Sequence, residues 1–297
     1  VLASAQPSSI SGFALDSANV YWSTYPTDGV VAAVPKIGGS VVTLATGQAR
    51  ASDVVSVGGS VYWPVFDTAA SIMRAPSGGG VTPTAVWTDT SMSEFIPHGP
   101  AGSLSTDGTN LFFALAYQGI ESLKLSTGDA TLVSASTLGL AFEAVVGSEL
   151  YVLVPYMQEG ASPSGTEEIE EQAASGGSLS TLYTAPVSAP GIVSSSMTAD
   201  ATGVYWIDAP TGNVMGIPTG GTAKVLGSSI SPGSLAVDGT NVYWSDGAAG
   251  TIQQVAIGGG PATMIVSDEY GAGRVQVDAT NVYWANNCFG TIKKIAK

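Results

Sequence analysis

The chain has 297 residues, 23 of them acidic against nine basic, and carries a formal net charge of −14 at pH 7. A surface of that sign disfavours nucleic acid and anionic lipid, and a composition that is 44% hydrophobic and only 11% charged argues for a large packed core rather than disorder. The single cysteine, Cys288, excludes an intrachain disulfide, and no apolar run approaches the ~18 residues that a spanning helix needs.

Val1-Leu2-Ala3-Ser4 opens the chain as a short strand-like segment with no basic leader region before it. From there to the C-terminus one pattern is written seven times. Each copy centres on a pair of residues: Tyr21-Trp22, Tyr62-Trp63, Phe112-Phe113, Tyr151-Val152, Tyr205-Trp206, Tyr243-Trp244 and Tyr283-Trp284. Successive first members lie 41, 50, 39, 54, 38 and 40 residues apart. Strand-rich units at that period are the mark of a β-propeller with one four-stranded blade per repeat. The expected fold is therefore all-β: a single seven-bladed propeller over 1–297, with blades near 9–47, 51–88, 100–135, 141–185, 195–228, 232–267 and 272–297.

The sixth repeat shows the grammar. Ser234-Leu235-Ala236-Val237 alternates and reads as strand A. Asp238-Gly239-Thr240-Asn241 is a tight turn, because Gly and Asn tolerate positive φ and Asp accepts bonds from its own backbone. Asn241-Val242-Tyr243-Trp244-Ser245 is strand B, rich in aromatic and β-branched residues. Gly250 to Ala256 form strand C, Gly258-Gly259-Gly260 turn the chain, and Ala262 to Val266 form strand D. The fourth repeat fits worst. Val152 replaces the second aromatic, and the run Glu167-Glu168-Ile169-Glu170-Glu171 leaves its strand C unassigned, reading as a solvated outer strand or an insertion.

The seventh repeat ends after strand C, at Lys297, and lacks a strand D. Val1-Leu2-Ala3-Ser4 matches Val225-Leu226-Gly227-Ser228 at the end of the fifth strand D. The N-terminus is thus expected to complete the last blade and close the ring, leaving no open sheet edge at the seam. Adjacent residues on a strand point to opposite faces, so the two aromatics of a pair are expected to reach one neighbouring blade each.

Strand order separates two faces. The A–B and C–D turns are short and uniform. The B–C and D–A loops vary and hold the insertions, including Trp87 to Ala101, Pro155 to Gly165 and Ala185 to Ser195. Long loops on a rigid scaffold carry binding residues, so the functional site is expected on the B–C/D–A face around the central channel. Four residues before each A–B turn the copies show Gly12, Asp53, Ser103, Glu143, Ser196, Ser234 and Arg274. Asp53, Glu143 and Arg274 break a small-residue pattern and are the first candidates for a polar ligand at the channel mouth. Trp87, Phe95, His98, Tyr117 and Tyr270 are the expected surrounding contacts.

Catalysis is the competing expectation: a metal-assisted lyase or hydrolase using His98 with Glu143 or Asp53. An unperturbed imidazole titrates near neutrality, but one histidine cannot build a multi-histidine metal site. No cofactor is expected, with a divalent cation such as Ca²⁺ as the alternative. No Gly-x-Ser-x-Gly elbow supports a serine nucleophile, and no basic neighbour in sequence activates Cys288. The expected partners are a small molecule, peptide or glycan at the channel mouth, or a protein, with no nucleic acid and no membrane insertion. Abundant Gly, Ser and Thr beside few lysines point to a secreted or cell-envelope protein.

Tyr243-Trp244-Ser245-Asp246, Tyr205-Trp206-Ile207-Asp208 and Tyr21-Trp22-Ser23-Thr24 are each succeeded by a Gly-x-(Ile/Val) strand. In this the repeat resembles the YWTD propellers of low-density lipoprotein receptor-like proteins and, more loosely, NHL-type propellers. The resemblance implies the fold and a binding role. It departs from the receptor pattern in having seven repeats and no cysteine-rich neighbour. The virginiamycin B lyase family shares the seven-bladed shape and works with histidine and a metal; with one histidine here, no catalytic residue carries over.

Overall fold

Alternating strand residues and Asp/Gly/Asn turns build seven antiparallel sheets arranged in a ring. The structure, a computed structural model, describes residues 1–6, 10–66, 69–89, 104–115, 119–135, 142–154, 165–187, 196–208 and 211–297. Blade 1 comprises β1 (Ile10–Leu15), β2 (Asn19–Thr24), β3 (Val31–Pro35) and β4 (Val42–Ala45). Blade 2 comprises β5 (Val55–Val57), β6 (Ser60–Phe66), β7 (Ala70–Pro76) and β8 (Thr84–Thr88). Blade 3 comprises β9 (Leu104–Thr106), β10 (Asn110–Leu115), β11 (Gly119–Lys124) and β12 (Ala130–Ala135). Blade 4 comprises β13 (Phe142–Val146), β14 (Glu149–Val154), β15 (Gly165–Ala173) and β16 (Ser180–Val187). Blade 5 comprises β17 (Ser196–Asp200), β18 (Gly203–Asp208), β19 (Asn213–Pro218) and β20 (Lys224–Ser228). Blade 6 comprises β21 (Pro232–Val237), β22 (Asn241–Asp246), β23 (Thr251–Ala256) and β24 (Thr263–Val266), and blade 7 comprises β25 (Ala272–Val277), β26 (Asn281–Asn286) and β27 (Thr291–Ala296). In every sheet the strands lie in chain order.

The innermost strands β1, β5, β9, β13, β17, β21 and β25 each touch the next, and β25 returns to β1. This closes a ring of seven. The acidic run of the fourth repeat is strand C of its blade, β15, not an outer strand or an insertion. Ile169 is fully buried at its centre, and Glu170 pairs in register with Val152 and Thr181. Two glutamates flank that core residue on each side, which hid the strand period.

The core is a set of seams. The first aromatic of each blade meets the second of the next. Tyr21 clusters with Trp63, Tyr62 with Phe113, and Phe112 with Val152. Tyr151 clusters with Trp206, Tyr205 with Trp244, Tyr243 with Trp284, and Tyr283 with Trp22. The last pair spans the two ends of the chain. Trp22, Trp63, Trp206 and Trp244 have no exposed surface. Burying a large side chain contributes roughly 1.5–3 kcal/mol, so each seam is a substantial part of the fold.

The closing blade is completed by the N-terminus over a shorter stretch than the sequence pattern suggests. Ala3 forms a single antiparallel bridge to Ile292. The N–H groups of Leu2 and Ala3 donate to the Ile292 carbonyl at 2.7 and 3.2 Å, and Ile292 donates back to Ala3 at 2.9 Å. Ala5 then adopts φ 56°, a left-handed turn that takes the chain out of the strand, and Gln6 donates to the Gly290 carbonyl at 2.9 Å.

The A–B turns carry a second tie between blades. Asp278 Oδ1 accepts the N–H groups of Thr280 and Asn281, and its Oδ2 accepts the Tyr283 hydroxyl at 2.8 Å. Lys36 of blade 1 reaches the same Oδ2 at 2.8 Å and lies 5.2 Å from the centre of the Tyr283 ring. Lys297 makes the same arrangement with Asp238 and Tyr243. Burial opposes ionisation of Asp278, but the bonds from Lys36, the turn N–H groups and Tyr283 outweigh it and hold the carboxyl below the ordinary aspartate range.

Two outcomes are expected. Removing residues 1–6 deletes four main-chain bonds, at about 1 kcal/mol each, and should lower a single cooperative melting transition by roughly 8–16 °C, given about 2–4 °C per kcal/mol for a chain of this size. A fraying blade 7 beside an unchanged main transition in scanning calorimetry would contradict the closed ring. A depressed carboxyl contributes stability that is complete above the ordinary aspartate pKa and is lost as pH falls through and below it. Lys36→Met should therefore cost about 1 kcal/mol or less at pH 7, with the deficit shrinking as denaturation is repeated from pH 5 towards pH 2.

Candidate functional site

The inner ends of the seven A strands enclose a cavity of about 390 Å³ on the propeller axis. Each blade contributes strand-A residues, and Asp53, Glu143, Ser196, Ser234 and Arg274 all face it. The sequence position that singled out Asp53, Glu143 and Arg274 is therefore one layer of the channel wall. From this layer the described lining continues towards the A–B turns, through Leu15, Ser56, Thr106, Val145, Ala199 and Val277.

That layer has a structural task which the sequence did not reveal. Ser196 Oγ accepts the backbone N–H of Leu235 in the next blade at 3.1 Å. Ser234 Oγ accepts the N–H of Val275 in the next blade at 2.7 Å. Asp53 Oδ2 accepts the N–H of Leu104 in the next blade at 3.2 Å. An acceptor at this position clamps one blade to its successor. Ser23 and Ser245, which come directly after the Tyr-Trp pairs, support the bulged start of strand A by accepting the N–H groups of Gly12 and Ser234. Gly12 is required sterically. A Cβ there would lie 2.4 Å from the backbone carbon of Asp53.

Glu143 and Arg274 occupy the clamp position and do not clamp. Both are about 95% buried, at 5% and 6% exposure. Neither carboxyl oxygen of Glu143 has a hydrogen-bond partner, and neither do Nε and Nη2 of Arg274. Asp53 and Arg274 sense each other's charge, yet no ion pair joins them among the described contacts. Burial pushes the Asp53 carboxyl up to about 6, against the pull of Arg274 and of the Val54 and Leu104 N–H groups. Burial, and then the charge of Asp53, push Glu143 well above the ordinary glutamate range. Burial draws the Arg274 guanidinium down to about 10, and Asp53 opposes this. The layer thus brings together two carboxyl groups that burial pushes up and one guanidinium that burial draws down.

The other sequence candidates do not join this layer in the described structure. Trp87 is not a loop residue. It belongs to β8, the outer strand of blade 2, and its ring packs edge-on against Phe113 at 4.8 Å. Its bulk fills the seam between blades 2 and 3. Tyr270 is 57% exposed on the loop before β25, beside Gly250. Phe95, His98 and Tyr117 lie outside the described residues, as do Ser103 and the long D–A insertion that carries His98. Among the described residues no group of three or more His, Cys, Asp or Glu could hold a metal ion. The Asp residues of the A–B turns are spent on turn N–H groups and on tyrosine hydroxyls.

No family model matches the chain, and no curated protein matches its sequence. Solved structures do resemble it in shape. Virginiamycin B lyase from Staphylococcus aureus superposes with a TM-score of 0.70 at 13% identity, over 99% of this chain and 96% of that one. BamB from Moraxella catarrhalis gives 0.58 at 17% identity, over 97% and 85%. A chain of the nidogen/laminin complex gives 0.53 at 15% identity, over 76% and 86%. At such identities the likeness is one of fold and does not extend to chemistry; the count of seven blades is that of the chain's own sheets.

Proposed function

We propose that this propeller binds a small polar ligand in its central channel, without catalysis, and that it works outside the cytoplasm. The observation that carries this reading is the pair of buried charged-type side chains with unpartnered polar atoms facing one cavity. A buried polar group left unpaired costs about 1–3 kcal/mol, and more when charged. Serine at the same position in neighbouring blades makes a clamp instead, so Glu143 and Arg274 forgo a stabilising contact. A ligand that satisfies them accounts for this. The cavity volume lies near the lower end of the roughly 300–1,000 Å³ typical of small-molecule sites. The described cavity runs from Asp53, Glu143 and Arg274 towards the A–B turns, and the loop face on the other side of this layer, with exposed Tyr270 on it, is read as the side from which partners approach.

The alternative, a lyase or hydrolase, draws on the shape it shares with virginiamycin B lyase and on Glu143, whose carboxyl burial pushes well above the ordinary glutamate range. Equilibrium dialysis against a mixture of small polar metabolites, with mass spectrometry as the readout, separates the two. Binding predicts enrichment of a compound recovered intact, at a stoichiometry near one, and loss of that enrichment in the Glu143→Leu, Arg274→Met double variant. Consumption of the compound, abolished by His98→Ala, would overturn the non-catalytic reading.

A further inference from the structure

The two unpartnered nitrogens of Arg274 are Nε and Nη2. These lie on one side of the guanidinium and donate two parallel N–H bonds, the geometry that grips a carboxylate bidentately. Facing the same cavity are both oxygens of Glu143, which have no partner, and the carboxylate of Asp53. Asp53 has one oxygen on the Leu104 N–H, which fixes the group against the wall. Gly12, the clamp-position residue of blade 1, stands between the blades of Arg274 and Asp53 and places no side chain in the gap.

Taking the channel-ligand reading as its basis, we infer that the channel takes a small zwitterion, such as a free amino acid or a short unblocked peptide, with its carboxylate on the Arg274 Nε/Nη2 fork and its ammonium towards Asp53 and Glu143.

Charge balance selects this class over its neighbours. Buried charge is tolerated when it is paired and hydrogen-bonded. An anion alone would neutralise Arg274 and leave Asp53 uncompensated. A cation alone would do the reverse. A neutral polyol would leave the guanidinium unpaired by charge. A zwitterion satisfies donors and acceptors and leaves the net charge of the site unchanged.

The test is calorimetric titration of the whole chain with L-alanine, glycylglycine, propionate, propylamine and glucose. L-alanine or glycylglycine should saturate the protein, and propionate and propylamine should bind about 10- to 100-fold more weakly, as expected for loss of a charge-assisted contact. Arg274→Lys keeps the charge but loses the fork, and should weaken zwitterion binding about tenfold or more. Arg274→Gln should abolish it, and Glu143→Leu, which removes both oxygens from the ammonium's side, should weaken it about tenfold. Circular dichroism melts establish that each variant is folded. Propionate, propylamine or glucose binding as tightly as the zwitterions, in an Arg274-dependent way, would overturn the ligand class and leave the channel-ligand reading intact. Saturation that ignores both Arg274 variants would overturn the channel site itself. Failure of all five probes to bind would overturn the zwitterion inference, while the metabolite dialysis still judges the broader reading.

Discussion

The handing of an aromatic from each blade to the next is the contact on which everything else rests. A single four-stranded sheet buries neither of its faces. In this chain the paired residues stand side by side on strand B, so the pleat sends them to opposite faces, and each blade offers a ring forwards and, except for Val152 of blade 4, a ring backwards. Seven such exchanges close on themselves only if the last blade meets the first, as Tyr283 meets Trp22. The brief bridge from Ala3 to Ile292 and the reach of Lys36 to Asp278 secure the same seam at other levels. The closed ring then holds seven strands around one axis with little freedom to adjust, and this rigidity lets a single side chain per blade define a channel layer.

Within that layer stability and function diverge. Ser196, Ser234 and Asp53 use their oxygens to bind the next blade. Glu143 and Arg274 have the same backbone placement and no such bond. Phe13 in blade 1 and Met197 in blade 5 stand where Leu104, Leu235 and Val275 stand in the clamped pairs. A ring under selection for stability alone has no physical reason to bury an unpaired acid and an unpaired guanidinium where serine works better. The departures from the repeat are therefore the residues on which the functional reading rests.

Much of this was legible in the chain. The aromatic pairs set the period, the Asp-Gly-x-Asn turns set the strand pairing, and the missing last strand pointed to the N-terminus. Asp53, Glu143 and Arg274 stood out because a repeat supplies its own reference, and a charge where other copies have Ser or Gly is visible without any relative. Other features were hidden for physical reasons. The clamp joins Ser196 to Leu235, a contact between blades that no spacing within one repeat encodes. Strand β15 was obscured because carboxylates flank its buried Ile169 and blur the alternation. Trp87 read as a loop residue because the sequence after it departs from the repeat, whereas its ring is held in the seam by Phe113. Asp53 read as a ligand residue alone, yet one of its oxygens is a structural acceptor.

The most direct measurement is the thermal stability of the Glu143→Ser, Arg274→Ser double variant in the absence of ligand. Serine at both places restores the small acceptor found in blades 5 and 6 and removes two buried unpaired groups. Replacing buried ionic groups by well-matched residues often stabilises by about 1–4 kcal/mol. The account predicts a melting temperature several degrees above that of the parent chain, together with loss of channel binding. A variant that melts lower than the parent would show that these side chains hold the ring together, and would contradict the claim that they are kept for a ligand.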